Sequence, residues 1–211
     1  MANRVLVGAQ WGDEGKGKII DVLTEESDVI VRTQGGSNAG HTVFVGSQKY
    51  VLHLVPSGIL HKNKTCIIAS GVVIDPIGLV KEIEGLEAMN IAVEGHLFIS
   101  QTAHVVMPWH KLFDAIKENK KGDSKIGTTK NGIGPTYSEK ADRTGIRICD
   151  LLKPERFKTL LADRLNEHNN TLAANGIEPL KLEEVYAAYS AAAAKLKPFA
   201  ADTVLLLFRA T

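Results

Sequence analysis

The sequence predicts an α/β fold: a mostly parallel central sheet with a P-loop-like phosphate loop, followed by a helical subdomain. Three observations point to it. Val5-Leu6-Val7-Gly8-Ala9 is a short apolar run that ends in a Gly-rich turn, the pattern of a buried parallel strand. A helix is expected to start within Lys16 to Lys18 and to run through Ile19, Ile20, Val22 and Leu23, with a second strand at Val29-Ile30-Val31. Strand, glycine loop, helix and strand in that order make a βαβ unit. Beyond Pro154 the chain turns helical, over Glu155 to Asn175 and then Leu182 to Lys195.

The remaining elements follow in chain order. Thr33 to Thr42, dense in Gly, Ser and Asn, has neither a helical nor a strand period and reads as a loop. Thr42 to Val45 and Tyr50 to Leu54, separated by Gly46-Ser47-Gln48-Lys49, read as a hairpin. Ile67-Ile68-Ala69 and Leu97-Phe98-Ile99 are strands, Ile77 to Met89 is a helix, and another helix lies near Trp109 to Lys117. Lys120 to Arg147 reads as a long polar loop; a loop of that length is usually functional or disordered, and its Gly- and Lys-rich content favours function. Residues 1–150 are expected to form a nucleotide-binding core with the first half of the sheet, and 151–211 the helical subdomain. Asp202 to Phe208 begins an amphipathic helix close to the last residue, Thr211, so the expectation is a truncated chain with apolar faces left uncovered.

Composition removes several functional classes. Lys plus Arg number 25 against 24 Asp plus Glu, so no general basic field is available to hold nucleic acid. An anionic ligand must be held by a local site. Cys66 and Cys149 lack metal-type spacing, and Cys66 lies in an apolar run, which favours a buried reduced thiol. The start of the chain shows no signal-peptide pattern, and no apolar stretch approaches the roughly 18 residues of a membrane span. A cytoplasmic protein is expected, with neither nucleic acid nor membrane as partner.

Gly12-Asp13-Glu14-Gly15-Lys16-Gly17-Lys18 has the P-loop spacing of Gly, four residues, Gly, Lys. Glycines let successive N–H groups turn toward phosphate oxygens, the following helix presents its positive end, and Lys18 adds a full charge. The same pattern also occurs as a structural turn with solvated charges; its place between strand and helix favours phosphate. Ile19 stands where the usual loop has a Ser or Thr for Mg²⁺, which disfavours a generic P-loop switch protein. An Asp in the loop can take over that ligand role. Gly35-Gly36-Ser37-Asn38-Ala39-Gly40-His41-Thr42 follows the second strand, and in an open parallel sheet such loops converge on one rim. His41 is therefore expected near Asp13, placed to donate to a phosphoryl oxygen. The other six histidines (His53, His61, His96, His104, His110, His168) read as ordinary surface or core residues.

Four segments in order now resemble one family. Gln10 to Lys18, Gly36 to Thr42, Leu52-His53-Leu54-Val55-Pro56-Ser57-Gly58, and Ile126-Gly127-Thr128-Thr129 with Gly132-Ile133-Gly134-Pro135 are similar to the motifs of adenylosuccinate synthetases. That family is a set of GTP-dependent ligases that join IMP and L-aspartate through 6-phosphoryl-IMP, giving GDP and phosphate, at the first committed step to AMP in purine biosynthesis. The resemblance implies that Asp13 is the base for the N1 proton of IMP and that His41 is the acid. It implies GTP contacts at Gly12, Asp13, Glu14, Gly15, Lys16, Gly17, Lys18, Gly40, His41 and Thr42. It implies IMP contacts at Asp13, Lys16, Asn38, Ala39, Gly40, His41, Thr129 and Arg143. Mg²⁺ would be held by Asp13 and the Gly40 carbonyl. A homodimer is implied as well, with Arg143 reaching the neighbouring subunit's IMP. Family chains are longer than this one, so two readings follow: a ligase, and a fragment that binds nucleotide phosphates without turnover. The chain made alone is expected not to complete the reaction.

Overall fold

The computed structural model describes residues 3–10, 15–38, 40–46, 48–120 and 129–210. Its centre is a four-stranded parallel sheet in the order β1 (Val29–Arg32), β4 (Thr65–Ile68), β6 (Leu97–Ser100), β8 (Ala200–Ala201). Ile30 lies opposite Cys66, Cys66 opposite Leu97, and Ile99 opposite Ala200. The inner strands read as near-continuous apolar runs because helices cover both faces. Cys66, Ile68 and Ile99 are fully buried, and burial pushes the free Cys66 thiol up to about 12, as expected of an inert core cysteine.

The first helix, α1 (Lys16–Glu25), starts where the sequence places it. The hairpin of β2 (His41–Val45) and β3 (Gln48–Leu52) follows β1. After β4 come β5 (Val73–Ile74) and α2 (Pro76–Ala88); the Asp75 carboxylate caps α2 on the Ile77 N–H, and Pro76 fills a first-turn position that needs no donor. Next are β6, β7 (His104–Val105), which pairs with β5, and α3 (Pro108–Lys120). The chain then forms α4 (Ile133–Asp142), α5 (Ile148–Leu151), α6 (Pro154–Ala174), α7 (Leu182–Leu196), β8 and α8 (Thr203–Ala210). Phe157, Leu161, Val185 and Tyr189 from α6 and α7 join Ile68, Leu79 and Ile99 in one core.

Two expectations need correction. Val5–Ala9 is not a strand: the segment is irregular, with Val5 86% and Val7 75% exposed. An apolar run becomes a buried strand only with ladder partners beside it and cover on both faces, and among the described residues β1 pairs on one side only, with β4. Lys120–Arg147 is not one long loop, because it contains α4. Gly132, Gly134 and Pro135 read as loop residues, yet Gly132 is the left-handed N-cap (φ 74°) and Pro135 falls in the first turn, where proline is tolerated.

Helix α4 is fixed from below by a buried carboxylate. Glu139 accepts from Trp109 Nε1 at 2.8 Å and lies 2.9 Å from both His110 Nε2 and His168 Nε2. His110 Nδ1 accepts the Met107 backbone N–H, so its proton sits on Nε2, facing Glu139. Burial alone would raise the Glu139 pKa, but hydrogen bonds from His110, His168 and Trp109 outweigh it and hold the group at about 2.

That depression is a stability statement. The folded value lies below the ordinary 4.5, so the stabilisation is complete above pH 4.5 and is lost as pH falls through about 2. Glu139→Gln is expected to cost on the order of 3 kcal/mol at neutral pH. Urea unfolding at stepped pH should show the gap to wild type closing between 4.5 and 2; a constant gap contradicts this.

Candidate active site

Helix α1 opens on Gly15, in the left-handed region at φ 84°, with the Lys18 N–H bonded back to the Gly15 carbonyl at 3.1 Å. Among the described residues no side chain caps this end, and its first turn carries no acid. A helix start of that kind directs backbone N–H groups and the positive end of the dipole outward, which suits a phosphate.

Gly17 sits one residue into the helix, and the gap left by its missing side chain is filled. A Cβ at Gly17 would collide with Nδ1 and Cε1 of His41. The imidazole therefore rests directly on the first turn of α1. On its other side, His41 Nε2 is 3.0 Å from each oxygen of Asp21, one helical turn beyond Gly17. His41 is the first residue of β2, so the second glycine-rich segment delivers it here. The two loops meet.

The segment leading to His41 is held at several points. Gly35 is left-handed (φ 83°); its N–H donates to Tyr137 Oη at 2.8 Å, and that hydroxyl donates to the Gly71 carbonyl at 2.7 Å. Gly36 is packed under Ile133 of α4 and against Val73, where a Cβ would not fit. Asn131 Nδ2 donates to the Ser37 carbonyl at 3.0 Å, and Arg32 Nη2 to the Gly36 carbonyl at 2.6 Å. Burial lowers the Arg32 pKa, with Glu82 and Tyr137 opposing that effect.

The site residues expected from sequence fall into three groups. Gly15, Lys16, Gly17 and Lys18 form the start of α1; Gly40, His41 and Thr42 form the start of β2 and its approach; these come together. Asn38 is exposed on the same loop, its Oδ1 accepting the Gly36 N–H at 3.3 Å. Thr129 and Arg143 belong to the α4 segment, at its approach and at its C-terminal cap, both exposed. Gly12, Asp13, Glu14 and Ala39 lie outside the described residues. No group of three or more metal-ligating side chains occurs among the described residues. The implied Mg²⁺ set of one carboxylate and one backbone carbonyl would not form such a group, and its oxygen donors suit that ion. Gly40, the described half of the set, is exposed immediately before His41.

Sequence reading missed Asp21, Arg32, Tyr137 and Glu82. A signal existed for Asp21: four residues after Gly17 on a helix, it shares that residue's face. Tyr137 and Glu82 act through contacts distant in sequence, and Arg32 joins the nearby Gly36 carbonyl to the distant His53 carbonyl.

Gly17→Ala isolates the packing of His41. Alanine favours a helix over glycine by up to about 1 kcal/mol, so the melting temperature is expected to hold or rise. The ring must move away, and affinity for inorganic pyrophosphate, a probe of the helix start, is expected to fall about tenfold, the size of a lost hydrogen bond to a charged group. Calorimetric titration beside a thermal melt checks both; unchanged affinity contradicts the assignment.

Comparison with known proteins gives the family. The sequence profile described as adenylosuccinate synthetase matches residues 5–211. The adenylosuccinate synthetase of Acaryochloris marina is 52% identical over 211 residues, covering 100% of this chain and 47% of that protein. That of Geobacter metallireducens is 51% identical over 209 residues, covering 98% of this chain and 49% of that protein. The solved structure of fully ligated adenylosuccinate synthetase from Plasmodium falciparum superposes with a TM-score of 0.84 at 38% identity, covering 96% of this chain and 47% of that one. The chain spans about half the length of the curated relatives it matches. From its glycine loops to its parallel sheet, this chain belongs to the adenylosuccinate synthetase family.

Proposed function

We propose that the chain carries the phosphate-handling part of a GTP-dependent ligase that joins IMP and L-aspartate to adenylosuccinate. The observation that supports it most is the His41 imidazole seated between Gly17 and Asp21 at the open start of α1. The N–H groups of Gly15 and Gly17, with the Lys18 ammonium, would take GTP phosphate oxygens, with Gly12, Glu14 and Thr42 completing the GTP contacts. Lys16 would lie between GTP and IMP and offset the charge of two anions brought together.

The 6-oxygen of IMP is a poor nucleophile until N1 loses its proton. Asp13 takes that proton, and the oxygen attacks the γ-phosphorus of GTP as the bond to the β-phosphate oxygen breaks, giving 6-phosphoryl-IMP and GDP. His41 donates to the phosphoryl group in transfer, from a ring that Asp21 holds in place. The aspartate amine then adds at C6, and phosphate leaves. Mg²⁺, held by Asp13 and the Gly40 carbonyl, would supply neutralisation of the phosphoryl oxygens. Asn38, Ala39 and Thr129 would bind IMP. Arg143 would reach the IMP of a second subunit, a role a guanidinium suits through paired bonds to phosphate. A homodimer in the cytoplasm follows from the same reading.

A second reading is a chain that binds nucleotide phosphates without turnover. It is favoured by one observation, that the chain spans about half the length of its relatives.

Incubation with IMP, GTP, Mg²⁺ and aspartate, followed by chromatography, separates the two. The ligase reading expects adenylosuccinate from the protein isolated from its own cells, and a loss of about a hundredfold in kcat in His41→Asn. Saturable binding of GDP and IMP with no product under the same conditions supports the second reading.

A further inference from the structure

The chain between Gly36 and His53 leaves the sheet, runs out through Gly40 and His41 along β2, and returns along β3. Two side chains close the neck of this excursion. Arg32, the last residue of β1, donates from Nη2 to the Gly36 carbonyl at 2.6 Å and from Nη1 to the His53 carbonyl. One guanidinium thus holds both the outgoing and the returning chain. Glu82 of α2 grips the returning chain through three successive backbone N–H groups: His53 at 2.7 Å, Leu54 at 2.9 Å and Val55 at 3.1 Å. A carboxylate and a guanidinium make these charge-assisted bonds, stronger than neutral ones. His41 is paired with Leu52, the residue just before the gripped segment. The position of the neck is therefore passed to His41 across a single ladder rung.

We infer that Arg32 and Glu82 are positioning residues of the phosphate site: by closing the neck at Gly36 and His53–Val55 they set where His41 stands against Gly17 and Asp21. The inference rests on the reading of His41 as a phosphate-site group. Neither residue is placed to take part in the chemistry itself. The signature segment Leu52 to Gly58, whose purpose the sequence left open, gains one here, because its backbone is the surface that Glu82 and Arg32 hold.

The test uses the full chain with isotope-labelled histidine and two variants. Arg32→Lys keeps the charge but replaces a planar fork with a point charge that does not span two carbonyls. Glu82→Gln keeps the shape and removes the charge. Both are expected to shift the His41 imidazole resonances and to speed amide exchange across residues 41–52, with His61 and His96 unmoved. Affinity for Mg·GDP is expected to fall at least about fivefold, a typical coupling between linked sites. In a His41→Ala background the same substitutions should cause no further loss, which distinguishes positioning from general weakening. His41 resonances unmoved in both variants, or losses that simply add to that of His41→Ala, overturn the inference. A wild-type chain that does not bind Mg·GDP defeats the functional reading alone, since the resonances and the exchange still decide whether the clamp sets His41.

Discussion

The first turn of α1 has a missing side chain at Gly17, and the imidazole of His41 occupies that space. Two segments separated by a strand are brought into contact by this one piece of packing. Any residue larger than glycine would hold them apart. The helix start then offers backbone donors on one side and an imidazole on the other, a combination suited to a phosphoryl group that must be both held and stabilised. Asp21 completes the seat from the next turn.

Contacts on both sides hold the segments that carry His41. Upstream, the Gly35–Ser37 turn is stitched by Tyr137, Asn131 and Arg32; downstream, the hairpin is gripped by Glu82. Tyr137 and Asn131 are themselves placed by α4 and its approach, which is locked to α3 and α6 through the Glu139 carboxylate and its His110, His168 and Trp109 neighbours. A buried charge is costly unless its partners are well placed. Here three donors from two other helices converge on it, so the cost becomes a means of fixing one helix in one register. The chain of contacts runs from a core carboxylate to a surface loop without a gap.

Much of this could be read in the sequence, and what could not shares a cause. Helix α6 was expected over Glu155 to Asn175 and is found at Pro154–Ala174, because its apolar spacing and its starting proline are local signals. The strands containing Ile67-Ile68 and Leu97-Phe98-Ile99 were legible for the same reason. Val5–Ala9 has an equally apolar pattern, yet pairing is decided by partners elsewhere, and the segment stays outside the sheet. Helix α4 was hidden because Gly132, Gly134 and Pro135 are loop residues by composition but acceptable in a helix start by position. In the site, the glycines and His41 were visible as a motif. Glu82 and Tyr137 were not, since a carboxylate and a phenol on backbone groups far along the chain leave no local pattern; Arg32 was not, since its second carbonyl, that of His53, lies 21 residues on.

A crystal structure of this chain with Mg·GDP and IMP bound tests the central claim most directly. The account predicts phosphate oxygens on the N–H groups of Gly15 and Gly17 and on the Lys18 ammonium, with the His41 imidazole within hydrogen-bond distance of them. Phosphates bound away from the start of α1, or a His41 ring turned to solvent in the complex, would contradict it.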